Sequence, residues 1–209
     1  MRNAAVMMAT VAFMSSLPAL AQKPLSSDEV SFRDMLKEMV ETDSSVASGS
    51  CTLVAEKIAA RMKAAGFPEE NIHLFVPDGK PKEGNLVAIL PGRDPAAKAV
   101  LMSGHIDVVN AKREDWERDP FSFIEEGDYF FGRGVADMKA QDAIWIDAML
   151  RYYREGYKPR RTIKLALTCG EEGGFTNGIG WLLTHQRDLI DAGIAFNEGG
   201  YGELEEKSG

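Results

Sequence analysis

Ala99-Val100-Leu101-Met102-Ser103 is a run of strand length, apolar up to its last residue, and one glycine separates it from His105-Ile106-Asp107. Such a run suits a strand buried on both faces, as in sheets covered by helices on each side. The same arrangement recurs downstream. Thr162-Ile163-Lys164-Leu165-Ala166-Leu167-Thr168 reads as a strand and leads into Gly170-Glu171-Glu172-Gly173-Gly174. Residues 193–197 begin a further strand and lead into Asn197-Glu198-Gly199-Gly200. Between them, residues 138–155 show helical periodicity through Ile144, Ala148, Met149 and Tyr152, and residues 177–187 read as another helix.

Working back toward the N-terminus, Ser27 or Asp28 is placed to cap a helix ending near Thr42, with Val30, Met35, Leu36, Met39 and Val40 on its inner face. A polar loop follows, then a helix over residues 52–65 that Gly66 is placed to stop. Ile72 to Val76 and Asn85 to Leu90 read as strands, and residues 119–133 as two weaker strands around Glu126-Gly127-Asp128. Strands alternating with helices predict an α/β fold with a mostly parallel sheet flanked by helices.

Composition bounds what the chain does. Of 209 residues, 44% are hydrophobic and 27% charged, a globular profile. The net charge of −8 argues against nucleic acid as a partner, because an acidic chain repels phosphates. The N-terminus reads as an export signal over residues 1–21. Arg2 precedes an apolar run from Ala4 to Met14, and Ala19-Leu20-Ala21 gives a small-x-small cleavage pattern. The run is too short to remain as a membrane span. The expectation is therefore a periplasmic or secreted protein, without a membrane partner once the signal is cut, whose residues 22–209 suffice for one ordinary domain. The two cysteines, Cys51 and Cys169, could pair in an oxidising compartment, but two so far apart are not a disulfide framework, and buried thiols are the preferred expectation.

The chemistry-bearing residues fall at strand ends, where open α/β sheets gather ligands. His105 and Asp107 share one face of extended backbone, so the carboxylate can orient the imidazole. Gly132-Arg133-Gly134-Val135-Ala136-Asp137-Met138-Lys139 brings a carboxylate to a helix start through a glycine-permitted turn. Glu171 and Glu172 are adjacent and point in different directions, and Glu198 sits at the sheet rim. Each element alone also reads as a bland one: a surface His beside an Asp, a helix N-cap, an acidic turn, a polar turn. Four of them in order, each at its own strand end, are specific.

In that order the chain resembles the di-zinc peptidases and amidases that include glutamate carboxypeptidase, aminoacylase, acetylornithine deacetylase and succinyl-diaminopimelate desuccinylase. The resemblance runs from about Asp28 to Gly200, with Trp116 and Asp119-Pro120-Phe121 matching a segment those enzymes carry between the first two motifs. It implies that His105 binds a first zinc and Asp107 orients it, that Asp137 bridges both zincs, and that the Asp137–Met138 bond is cis. It further implies Glu171 as general base, Glu172 as completing the first zinc site and Glu198 as a ligand of the second. Cobalt or manganese are the expected substitutes for zinc. The implied substrates are small peptides or N-acyl amino acids, cleaved in carboxypeptidase, dipeptidase or deacylase fashion.

Family members take one more zinc ligand, a His, from near their C-terminus, and carry an inserted lid and dimerisation domain. Here the histidines are His73, His105 and His185, and none follows Glu198. The expectation is thus the N-terminal part of such a catalytic domain, with homodimer formation reserved for the complete chain. The alternative expectation is an inactive remnant holding at most one metal through His105, Asp137 and Glu172.

Overall fold

A computed structural model describes residues 24–199. The export signal expected at 1–21, and Gly200 of the last motif, lie outside the described residues.

Helix α1 (Ser27–Glu41) is capped one residue before Ser27 and two before Asp28, the caps expected from sequence. Ser26 is the N-cap, its hydroxyl accepting from the Glu29 N–H while the Glu29 carboxylate accepts from the Ser26 N–H, a reciprocal capping box. Met35, Leu36, Met39 and Val40 are buried, but Val30 is 44% exposed, so the apolar stripe occupies only the second half of the helix. Helix α2 (Cys51–Ala64) is capped by Ser50 and ends just before Gly66, whose φ of 83° only glycine adopts without strain.

The main sheet holds β1 (Ile72–Phe75), β2 (Asn85–Leu90), β3 (Val100–His105), β6 (Ile163–Thr168) and β7 (Ile194–Phe196) in the order β1-β2-β6-β3-β7. A separate hairpin pairs β4 (Ile124–Glu126) with β5 (Tyr129–Phe131) about the expected glycine turn. β2 pairs antiparallel with both β1 and β6, whereas β3 pairs parallel with β6 and β7. Four of the five strands therefore run one way and β2 alone runs back. The sheet is mixed, and the half that carries the motifs is parallel.

Period-two alternation divides the core between two faces. Leu86, Ala88 and Leu90 of β2 and Leu165 and Leu167 of β6 pack under α1, α2 and α3 (Ala140–Arg154). Val87, Leu101 and Ala166 face the other way, onto Leu182 of α4 (Gly178–His185) and Ile190 of α5 (Arg187–Ile190). This gives the expected α/β architecture, a sheet with helices on both sides. The inner face of α3 differs from the sequence reading. Met149 is buried as expected and Tyr152 packs against the core, but Ile144 is 51% exposed, and Ala143 and Ile146 fill the core in its place. Among the described residues, no helix is long and apolar enough to cross a membrane.

The cysteines correct the sequence expectation. Cys51 and Cys169 form a disulfide, with Cα atoms 5.9 Å apart, and neither residue is exposed. The first turn of α2 lies over the carboxyl end of β6, a tertiary contact between residues 118 apart in sequence that no local pattern announces. A cross-link over that separation restrains the unfolded chain by roughly 5 kcal/mol in the loop-entropy treatment.

Candidate metal centre

The parallel pairing of β3 with β6 sets His105 beside Thr168, so the turn after Cys169 starts next to the imidazole. β7 pairs with the first half of β3, and the chain beyond it brings Glu198 back over His105. The second motif arrives from the opposite side through Gly134. Its φ of 79° and an approach in which a Cβ would lie 2.4 Å from Val108 Cγ1 both require glycine. Residues 135–139 form an irregular helical turn in which Asp137 and Met138 have non-helical angles, and the bond between them is cis, as the resemblance implies. The regular helix α3 starts at Ala140, later than the periodicity suggests.

These elements bring all six sequence-identified residues to one place. His105 is 2% exposed. Its Nε2 lies 3.1 Å from Asp137 Oδ1, 3.0 Å from Glu198 Oε1 and 3.9 Å from Glu171 Oε2. His105, Asp137 and Glu198 each offer a ligand atom within 4.8 Å of one another, and so do His105, Glu171 and Glu172. The first grouping sets Glu198 with His105, where the resemblance assigns Glu198 to a separate zinc, and the second sets Glu172 with His105, as the resemblance assigns it. His73, on β1, stacks on Phe75, and His185, on α4, stacks on Trp181.

Asp107 works from beneath. Its carboxylate is fully buried and accepts the backbone N–H groups of Glu171, at 3.3 Å, and Glu172, at 3.0 Å. His105 Nδ1 lies 3.0 Å from the Asp107 backbone carbonyl and 3.6 Å from its carboxylate. The ring is thus oriented mainly by a main-chain oxygen, with the carboxylate behind it, and either partner fixes the tautomer that leaves Nε2 toward the acids.

The electrostatics follow from the crowding of acids. Burial, then proximity to Asp137, holds the Glu172 carboxyl above its ordinary range, and burial and Asp137 do the same to Glu198. Burial alone would raise Asp107, but the neighbouring His105 imidazole and the N–H of Glu172 outweigh it, and its pKa is lowered. Burial alone would lower His105, yet Asp107 and Glu198 drive it up to about 10. Among the described residues, His105 is the sole ion-pair partner of Asp137, Glu171 and Glu198. Four carboxylates sharing one imidazole repel one another unless further positive charge joins them. An imidazole nitrogen and carboxylate oxygens are the donor set that zinc accepts, so the residues fit a divalent cation.

Two residues escaped the sequence reading. Lys139, quoted there only as part of a motif, is fully buried, and its Nζ donates to the carbonyls of Met39, at 2.8 Å, and Thr42, at 3.1 Å. It ties the segment holding Asp137 to the end of α1, and burial lowers its pKa to about 8. Asp142, on the first turn of α3, is fully buried with neither carboxylate oxygen hydrogen-bonded, and burial raises its pKa well above the carboxylate range. It occupies the space a side chain at Gly104 would need, since a Cβ there would sit 2.0 Å from Asp142 Oδ1. Gly104→Ala is therefore expected to lower stability by about 1–3 kcal/mol in a urea titration. Adding Asp142→Ala should recover part of that loss, and a Gly104→Ala protein as stable as the parent would show that β3 and α3 do not meet this closely.

Comparisons with known proteins bear on the fold and the family. The model of the family described as Peptidase family M20/M25/M40 matches residues 101–208, slightly more than half of the chain. Aminoacylase-1 of Sus scrofa is 33% identical over 120 residues, covering 56% of this chain and 30% of that protein. The chain thus spans about a third or less of the length of this relative. Two solved structures share the fold. The M20 family metallo-carboxypeptidase Sso-CP2 from Sulfolobus solfataricus matches with a TM-score of 0.68 at 21% identity, over 84% of this chain and 38% of that one. Human carnosine dipeptidase 1 matches with a TM-score of 0.62 at 21% identity, over 82% and 38%. With the motifs in order, the strand-end cluster in place and more than half of the residues matched, the chain belongs to the peptidase family M20/M25/M40, a family of metal-dependent peptidases and amidohydrolases.

Proposed function

We propose that the protein hydrolyses a peptide or amide bond in small peptides or N-acyl amino acids, with Glu171 as general base beside two divalent cations. The observation that carries this reading is the convergence of His105 with Asp137, Glu171, Glu172 and Glu198 at one strand-end edge. His105 and Glu198 would hold one cation and Glu172 the other, with Asp137 between them. Zinc suits the donors, and cobalt or manganese suit them as well. When bound, such a pair supplies Lewis-acid polarisation and makes hydroxide available near neutral pH.

The chain's own residues supply the rest. Asp107 holds the His105 ring through its carbonyl and the Glu171–Glu172 turn through its carboxylate, so one buried residue sets two sides of the site. Glu171, with its side chain 55% exposed, reaches the open face, where it can take a proton from the attacking water and deliver it to the departing amine. The names of the similar proteins, an aminoacylase, a carboxypeptidase and a dipeptidase, support this substrate range. Export to an oxidising compartment, periplasmic or extracellular, is part of the same reading. The signal pattern in residues 1–21 supports it, and so does the Cys51–Cys169 bond, since disulfides persist chiefly in such compartments.

The test is a panel of dipeptides and N-acyl amino acids, assayed before and after dialysis against a chelator. Turnover on at least one class, lost on chelation and restored by zinc, cobalt or manganese, is expected. Metal-loaded protein that turns over no member of the panel would contradict the reading.

A further inference from the structure

We infer that the Cys51–Cys169 disulfide is a positioning device for the turn that carries Glu171 and Glu172, and that the affinity of the Glu172 side of the site depends on it. The inference rests on the two-cation reading above. Cys169 directly follows β6 and precedes Gly170, so Glu171 and Glu172 lie two and three residues beyond the bond. Gly170 itself has a φ of 93°, and a Cβ on it would fall 2.3 Å from the Thr176 carbonyl, so the turn folds back tightly on itself.

Hydrogen bonds hold this turn at its flanks. The Cys169 N–H donates to Asn85 Oδ1, the Gly178 N–H to the Cys169 carbonyl, and the Thr176 N–H to the buried Glu83 carboxylate. On its other side the disulfide leads into a second set of contacts. Cys51 opens α2, and the cap residue before it, Ser50, donates its N–H to the Asp43 carbonyl. The same loop, residues 43–50, is bonded to the chain just past His105. The Val108 N–H donates to the Ser44 carbonyl, and the Ala47 N–H donates to Asn110 Oδ1.

The contacts close a ring: the α1–α2 loop, the His105–Asp107 segment, the Asp107 carboxylate, the Glu171 and Glu172 N–H groups, Cys169, and Cys51 back to the loop. The disulfide is the one link in that ring, outside the chain itself, that is covalent. The ligand atoms of Cys51, Cys169 and Asp107 lie within 4.8 Å of one another. Any rearrangement of the sulfurs therefore bears directly on the carboxylate that holds both glutamates. Since neither cysteine is exposed, a reductant has no route to the sulfurs in the folded protein, and the bond acts as a fixed staple rather than a reversible switch.

The test compares the oxidised protein with the Cys51→Ala/Cys169→Ala variant by cobalt(II) titration, following the ligand-field spectrum well below the melting temperature, with stability measured separately. The expected result is two cobalt sites in both proteins, one unchanged and one weakened about tenfold in the variant, as for loss of a partner behind a ligand. Two unchanged affinities with only a lower melting temperature would overturn the inference and leave the metal site standing. No cobalt binding by the oxidised protein would overturn both. As a second preparation, the unaltered chain folded in a dithiol reductant, with two free thiols verified, should show the same weakened site. Its thiols stand beside Asp107, so extra thiolate-type cobalt absorption there is separated from the effect by the alanine variant, which lacks it. If neither preparation folds, the bond serves the fold as a whole, and the inference is overturned.

Discussion

Replacing Glu171 with Gln is expected to lower the turnover number for amide hydrolysis by about 10²–10⁴-fold, the range that a positioned proton-transfer group supplies. Gln has the shape of Glu and leaves the backbone N–H of residue 171 free to donate to Asp107, so the turn should hold its course. What it lacks is a carboxylate able to accept a proton from water. Glu171 Oε2 is the most distant of the acid oxygens paired with His105 Nε2, at 3.9 Å, against 3.0 Å for Glu198 and 3.1 Å for Asp137. That spacing suits a group beside the cations rather than between them. Metal content and KM should change little while kcat falls. A Glu171→Gln protein that turns over normally would remove Glu171 from the reaction, and one that loses metal would make it a ligand.

The second large effect concerns Asp137. Its carboxylate contacts His105 at 3.1 Å and is the first neighbour raising Glu172 after burial, so it stands between the two halves of the cluster. Asp137→Ala should therefore impair both cation sites together. The loss in affinity should exceed the roughly 10–100-fold seen when a residue behind a ligand is removed. Metal content after dialysis, measured by elemental analysis, checks this. Asp128→Ala, at the exposed turn of the β4–β5 hairpin, is the control and should leave metal content unchanged. Retention of two metals by Asp137→Ala would mean that the carboxylate does not lie between them.

Much of the site could be read before any coordinates, because it is built from chain order. A strand that ends in His105, a strand that ends before Glu171 and a strand that ends before Glu198 place those groups at one edge if the strands are parallel neighbours, and β3 is bonded to both of the others. Features that depend on contacts between distant segments were not legible. The disulfide needs α2 to cross the end of β6, and nothing near Cys51 or Cys169 in sequence says so. The reversal of β2 was also hidden, because a strand buried on both faces reads the same in either direction. Lys139 and Asp142 look like ordinary first-turn residues of a helix, and only packing reveals that one fastens α1 and the other fills the space beside Gly104. The grouping of Glu198 with His105 depends on how the chain turns after β7, which a motif two residues past a strand does not specify.

Anomalous scattering at the zinc edge from zinc-loaded crystals shows whether one imidazole and four carboxylates surround a pair of cations. Two peaks are expected about 3.5–4 Å apart, with Asp137 touching both, His105 and Glu198 at one, and Glu172 at the other. Zinc peaks that avoid His105 and Asp137, or no peak at this edge of the sheet in active protein, would contradict this arrangement.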